Sequence, residues 1–360
     1  MAMPTTEVLL DALRQVRDPD LGRDIVGLAM VHDLAARDGE VWLTLRVPNT
    51  TPALRERLEA EARERLLALS GVARVHIGLD LAVPAARGLA GKQGIPGVKN
   101  IVAVGSGKGG VGKTTVAVNM AIALAELGAV VGLMDADVYG PNVPRMMAIQ
   151  ESPRVIGQNR IEPLRNFGVK VMSMGLISPG DQPVIWRGPM LHSAIQQFLR
   201  NVEWGDLDYL IIDMPPGTGD VALTLAQSVP MSGAVVVTTP SDVSLEDARK
   251  ALGMFLHLKI DVLGVVENMS SFECPHCRHA IDIFSQGGGR RIADHYGVPF
   301  LGTLPLLPAV REGGDRGQPV AVAGAADEAA QPYYAVARRV AAEANLRAAT
   351  AGEDVIRIRA

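Results

Sequence analysis

Cysteine is nearly absent from this sequence, with two residues in 360. So few exclude a disulfide-stapled secreted scaffold. They also exclude a metal cage built from four cysteines of one chain. Aromatic residues make up only 4%, and lysine occurs seven times. There is no basic excess: the net charge is -4, so the broad electrostatic footprint of a nucleic-acid binder is missing. No apolar run reaches the roughly eighteen residues that a membrane-spanning helix needs. The N-terminus, MAMPTTEVLLDALRQVRDPD, has neither the basic start nor the apolar stretch of a secretory signal. These absences point to a cytoplasmic protein, in which a close cysteine pair stays reduced and serves metal or redox chemistry.

What is present is a core-forming composition, 48% hydrophobic and 21% charged, and a length that suits two or three domains. Residues 1–83 read as a small α+β unit of order α-β-β-α-β. Leu9, Leu10, Leu13 and Val16 recur at helical spacing, with Thr6 as a possible cap. Val41, Leu43, Leu45 and Val47 alternate as a half-buried strand. Thr51-Pro52 has the N-cap and first-turn chemistry of a helix running to about Leu69, and Val75, Ile77 and Leu79 alternate again. Residues 84–99 hold four glycines and two prolines without a period, and read as a linker or a packed loop.

From residue 100 the texture changes. Continuous apolar runs at 101–105, 130–135, 169–174, 209–213, 234–239, 262–267 and 300–305 alternate with helical stretches. Strands of that kind are covered on both faces. The expected fold is α/β: a doubly wound, mostly parallel sheet over 100–348, followed by a tail at 349–360. The last helical stretch is placed at about 328–348.

The first of these runs leads into Gly107-Lys108-Gly109-Gly110-Val111-Gly112-Lys113-Thr114-Thr115. This is G-x-x-x-x-G-K-T between a strand and a helix, the context in which a phosphate-binding loop works. Glycines let the backbone N–H groups converge on phosphate oxygens, and the following helix N-terminus adds its positive end. Lys113 reaches the β- and γ-phosphates, and the Thr114 hydroxyl is a Mg²⁺ ligand. Two further segments supply carboxylates at strand ends, Asp135 and Asp137 in Met134-Asp135-Ala136-Asp137, and Asp213 after Leu210-Ile211-Ile212. The Asp213 pattern is that of a Walker B magnesium carboxylate, acting through water. PPGTGD after it reads as a switch loop. Asn268 follows another strand, where its amide either reads an adenine edge or caps a turn.

Lys108 is not required by an ordinary phosphate loop, and on its own it reads as a surface lysine. GKGGVGKT, however, resembles the deviant loop of the MinD/ParA class of ATPases. The resemblance implies an ATP-sandwich homodimer in which Lys108 reaches the partner's nucleotide. It further implies that Asp137 positions the attacking water, Asp135 supports the magnesium shell and Asn268 reads adenine.

Cys274-Pro275-His276-Cys277 is ambiguous by itself: a redox dithiol, half a zinc site completed by His276 or His279, or half an iron–sulfur site. In order along the chain, GKGGVGKT, DADVYGPN, WRGPM, DMPPGTGD, ENMSSFECPHC and GTLPL together resemble the Mrp/ApbC-type iron–sulfur cluster carrier ATPases over about 98–345. Residues 1–83 resemble the small iron–sulfur-assembly domain that precedes the ATPase in many of them. Related domains often carry a cysteine after the second strand, where this chain has VPNTTPAL. The resemblance implies that Cys274 and Cys277 of two protomers bind one [4Fe–4S] cluster, which apo iron–sulfur proteins receive. It implies neither a membrane nor a nucleic-acid partner, and it leaves the cluster donor unnamed. Two other classes remain open on the residues alone: a DNA- or membrane-positioning ATPase, and a zinc-stabilised nucleotide-binding regulator. The last helical stretch is alanine-rich and weakly amphipathic, unlike a membrane-targeting helix. A reductase resembling the nitrogenase iron protein fits less well, because its cluster cysteines lie far apart in sequence.

Overall fold

The computed structural model describes residues 3–86, 93–137, 140–157, 159–176, 188–274, 276–277 and 279–350. By packing, the chain divides into two units, 1–86 with 341–360, and 87–340.

The first unit runs α1 (Thr6–Leu13), β1 (Val31–Arg37), β2 (Glu40–Arg46), α2 (Pro52–Leu67) and β3 (Arg74–Asp80), the order expected from the sequence. β1 pairs antiparallel with β2, and β2 pairs parallel with β3 across the α2 crossover. Val41, Leu43 and Leu45 are buried while Trp42 is exposed, as the alternation requires. The pattern fades on β3, an edge strand, where Val75 is buried but Leu79 is exposed. One cap differs from the sequence reading. Thr5, not Thr6, accepts the Val8 N–H (3.5 Å) as N-cap of α1. At α2, Thr51 accepts from Leu54 (3.3 Å) with Pro52 in the first turn.

The second unit is α/β. Its elements are β4 (Val98–Gly105), α3 (Lys113–Glu126), β5 (Val131–Asp135), α4 (Val143–Met146), β6 (Arg154–Ile156), β7 (Arg160–Glu162), β8 (Leu164–Asn166) and β9 (Val169–Ser173). They continue with α5 (Gly188–Arg200), β10 (Leu207–Asp213), α6 (Asp220–Ser228), β11 (Gly233–Thr238), α7 (Asp242–His257) and β12 (Val262–Asn268). Last come β13 (Phe272–Glu273), β14 (Ala280–Ile281), α8 (Gly288–Tyr296), β15 (Phe300–Leu304), α9 (Pro308–Arg316) and α10 (Gln331–Thr350), the last of which belongs to the first unit from residue 341 on. The main sheet has the order β15-β12-β11-β4-β10-β5-β9-β8. It is parallel except at β8, which runs antiparallel to β9. Buried strand side chains such as Ile101, Ala103, Leu210, Ile212, Ala234 and Val236 pack in one core cluster with Phe198, Leu252 and Phe255 from the helices.

The first strand of the unit, β4, lies between β10 and β11. The chain leaves β4 for β5 on one side and later crosses from β10 to β11 on the other, so a crevice opens at the carboxyl end of β4, where α/β sheets bind ligands. Among the described residues, no helix is long and apolar enough to cross a membrane.

Candidate functional site

The phosphate loop occupies that crevice. Gly110 and Gly112 both sit at φ 81°, a left-handed conformation that costs glycine little. A Cβ on Gly112 would fall 2.2 Å from the Asn268 side-chain nitrogen, whereas one on Gly109 or Gly110 would meet nothing within 4 Å. The loop is thus braced on one side and open on the other. Three bonds brace it: Ser106 Oγ to the Lys108 carbonyl (2.9 Å), Gly217 N–H to the Ser106 carbonyl (3.0 Å), and Asn268 Nδ2 to the Val111 carbonyl (2.8 Å). Helix α3 has Gly112 as its N-cap and no side-chain cap bond. Its first-turn N–H groups are therefore free of a side-chain acceptor, as an anion-binding helix start requires.

Two carboxylates lie behind the loop on neighbouring strands, with Asp213 of β10 in register with Asp135 of β5. Asp213 is fully buried. It accepts from Lys113 Nζ (2.6 Å) and Thr114 Oγ1 (2.7 Å). Burial pushes its carboxyl up from the ordinary value, against the pull of Lys113. Asp135, also buried, accepts from Ser173 Oγ (2.8 Å) and from the Asp137 N–H (3.1 Å). Burial first, and the Asp213 charge second, push its pKa from 3.8 up to about 7. Asp137 accepts the Gly140 N–H (3.2 Å) and lines the cavity in front of the loop.

The raised Asp135 value has a stability consequence. Between the unfolded and folded values, the folded protein holds a proton that the unfolded chain has released, so stability falls as pH rises from about 4 to about 7. Asp135→Asn is expected to flatten that slope and to exceed the wild type in stability at pH 8. Denaturation midpoints at pH 5 and pH 8 measure this, and an unchanged slope in the variant contradicts it.

The cavity holds about 560 Å³ and is lined by both loop lysines, Thr114, Thr115, Asp137 and Asn268. That volume suits a nucleotide-sized ligand. Its wall also carries apolar Met269, Pro305, Leu306, Leu307 and Val310, together with Arg145 and Arg311. A lining that combines the polar loop with apolar side chains matches a phosphate chain and a base. Sequence reasoning did not single out Leu307, Val310, Arg145 and Arg311 as lining residues, nor Ser173 as the partner of Asp135. The run LPLLP, which begins at the last residue of β15, was the one available signal. Lys108 lines the cavity, and its charge adds to the Lys250 hydrogen bond that chiefly holds Asp247 below its ordinary value. The switch-loop reading is represented in the cavity by Pro216. Val138 and Tyr139 of DADVYGPN, and Trp186 and Arg187 of WRGPM, lie outside the described residues.

The cysteines occupy the turn of a small hairpin that sequence analysis did not foresee. β13 and β14 pair through Phe272–Ile281 and Glu273–Ala280, and the Cys274 N–H donates to the His279 carbonyl (3.0 Å). Both cysteines are unbridged, with Cys274 half-buried and Cys277 exposed. Backbone N–H groups of Cys277 and then His276, with the Cys277 side chain, pull the Cys274 thiol below its ordinary pKa. The turn thereby favours a thiolate, the form that binds metal. Among the described residues, no three His, Cys, Asp or Glu side chains gather into a metal-holding group. The mixed cage with His276 or His279 is therefore not assembled within them.

Comparison with known proteins follows the two units. Residues 97–341 match the family described as NUBPL iron-transfer P-loop NTPase, and residues 6–77 match the family of iron-sulfur cluster assembly proteins. The chain is 48% identical over 356 residues to the iron-sulfur cluster carrier protein of Synechocystis, covering 96% of this chain and 99% of that one. It is 47% identical over 256 residues to the mouse iron-sulfur cluster transfer protein NUBPL, covering 71% and 80%. Among solved structures, an Archaeoglobus fulgidus nucleotide-binding protein in complex with ADP aligns with a TM-score of 0.56 and 36% identity, over 62% of this chain and 88% of that one.

Proposed function

The chain belongs to the NUBPL-type iron-transfer P-loop NTPases, the family of iron–sulfur cluster carriers, and on that premise we propose that it hydrolyses ATP and carries a [4Fe–4S] cluster between two copies of itself. The observation that carries the reading is the hairpin. One chain presents two thiol ligands, one of them exposed, with no further ligand gathered beside them among the described residues. A cluster takes four thiolates, and a two-fold axis through the hairpins supplies four. The hairpin continues into exposed Ile281, Ile283 and Phe284, an apolar surface suited to a second copy. The cargo goes to apo iron–sulfur proteins, and a cluster held between chains is more open to them than one caged inside a fold.

In the nucleotide site, the N–H groups of Gly109 to Thr115 hold the phosphates. Lys113 turns from Asp213 to the β- and γ-phosphates, and Asn268 with the apolar side chains of the cavity wall receives adenine. The donor set beside Lys113, the Thr114 hydroxyl and the Asp213 and Asp135 carboxylates, is all oxygen and fits Mg²⁺. Mg²⁺ bound there neutralises charge on the phosphates. Asp137, at the cavity wall, orients the attacking water, and the products are ADP and phosphate. Lys108 extends to the partner's nucleotide and completes its site. The test is delivery. Protein reconstituted anaerobically with iron and sulfide is expected to restore activity to an apo [4Fe–4S] enzyme in the presence of an iron chelator, and absence of restoration contradicts the carrier role. In parallel, Lys108→Ala is expected to lose most ATP turnover, and wild-type turnover removes its role in trans.

A further inference from the structure

Successive residues at the end of β12 hold three different parts of the second unit. Asn268 points to the phosphate loop, through its bond to the Val111 carbonyl (2.8 Å). Glu267, its neighbour, points to the opposite side of the strand, as alternation requires. Its side chain is buried, with 1% exposure, and it is not among the residues lining the nucleotide cavity. Glu267 Oε1 accepts the Gly287 N–H (3.1 Å) and Oε2 accepts the Gly289 N–H (2.5 Å). A Cβ on Gly289 would stand 2.9 Å from the Glu267 Cβ, so the start of α8 is pressed against the strand. On the other side, the Ser270 N–H (3.0 Å) and Oγ (3.2 Å) both donate to the Leu304 carbonyl, and the Leu306 N–H donates to the Ser271 carbonyl (2.7 Å).

The cysteine hairpin lies between these attachments. It leaves the sheet after Ser271 and its chain returns at Gly287. The serine bonds fix its first foot and Glu267 fixes its second. Between Asn268 and Ser270, Met269 holds φ 55°, a left-handed conformation that costs a non-glycine residue energy and persists only where the surroundings enforce it. The Met269 Cε is 3.7 Å from where a Gly112 Cβ would be, so this strained residue abuts the loop that receives phosphate. A buried carboxylate is a costly way to anchor two N–H groups, and its charge makes those bonds stronger and more directional than neutral ones.

We propose that Glu267 is a positioning residue that transmits the state of the phosphate loop to the cysteine hairpin. A shift of the loop at Val111 and Gly112 moves Asn268 and with it the strand end. Glu267 carries that movement to Gly287 and Gly289, and so to the second foot of the hairpin. Nucleotide then alters how firmly Cys274 and Cys277 are presented. The inference rests on the nucleotide reading of the cavity, and its test does not require a bound cluster.

The test is the alkylation rate of the two cysteines in the apo full-length protein, with and without a non-hydrolysable ATP analogue. In the wild type, the analogue is expected to change the rate by about five-fold or more, the lower range of allosteric coupling. Glu267→Gln keeps the size of the side chain but leaves one acceptor oxygen. It is expected to bring the ratio close to one while ATP turnover stays near wild type. Glu267→Asp, which keeps the charge and shortens the reach, is expected to do the same and decides the matter if the first variant does not fold. A simple structural cap predicts lower thermal stability with the nucleotide ratio intact in both variants, and that result overturns the proposal. So does a wild-type rate indifferent to the analogue. Failure to load iron and sulfide while the ratio still depends on Glu267 overturns the carrier reading and leaves this one standing.

Discussion

Lys113→Ala is expected to lower ATP turnover by about 10³-fold, the scale on which a single preorganised charge on a transferring phosphoryl group acts. Phosphoryl transfer asks the protein for positioning and charge neutralisation rather than covalent chemistry, and in this site Lys113 supplies both. Its ammonium lies 2.6 Å from Asp213 and reaches the cavity wall. The same substitution has a second effect before any nucleotide is added. Asp213 is fully buried, and among the described residues its side-chain partners are Lys113 and Thr114. Removing the lysine leaves a buried carboxylate short of its counter-charge, a loss of about 3–5 kcal/mol where the charge persists. Burial already raises the Asp213 pKa, and without Lys113 it rises further. The folded variant then holds a proton that its unfolded chain releases, so its deficit is greatest in alkaline solution and shrinks as pH falls. Phosphate release at saturating ATP, with denaturation midpoints at pH 5 and pH 8, measures both effects. Turnover within ten-fold of wild type, or a deficit that grows toward acid, contradicts this account of the site.

Cys277→Ala is expected to abolish the cluster absorption band after anaerobic reconstitution. Thiolate ligation leaves no weaker fallback in this hairpin, because among the described residues no other side chains join the pair as a metal-holding group. The substitution spares the turn itself. The Cys274 N–H bond to the His279 carbonyl involves only backbone, and the backbone donors of residues 276 and 277, first among the influences that lower the Cys274 pKa, survive replacement by alanine. Cys274 therefore remains reactive toward alkylating agents while the cluster is lost, which separates ligand removal from a collapsed hairpin. ATP turnover measured on the same sample checks that the nucleotide site is intact. An undiminished band in Cys277→Ala contradicts the assignment of both cysteines.

Much of this was legible in the residues. The phosphate loop declares itself because glycines at fixed spacing, a lysine and a threonine have to follow a strand and open a helix. The buried parallel strands declare themselves by unbroken apolar runs such as Leu210-Ile211-Ile212. Three kinds of feature stayed hidden. The hairpin of β6 and β7 and the antiparallel edge strand β8 have three residues each, too few for a period. The titration of Asp135 depends on Asp213 being in register on the next strand, although 78 positions of sequence separate them. The roles of Glu267 and of the apolar cavity wall depend on segments brought together only by the sheet order. At α1, adjacent threonines offered the same capping chemistry, and the backbone entering the helix chose Thr5.

The most direct measurement is anaerobic quantification of iron, sulfide and zinc together with molecular mass in solution, before and after ATP is added. The account predicts about four iron and four sulfide per two chains, negligible zinc, a loaded species of twice the chain mass, and, before ATP is added, loss of both metal and dimer in Cys277→Ala. A stoichiometric metal centre on single chains, or zinc as the only metal in protein kept free of oxygen, contradicts it.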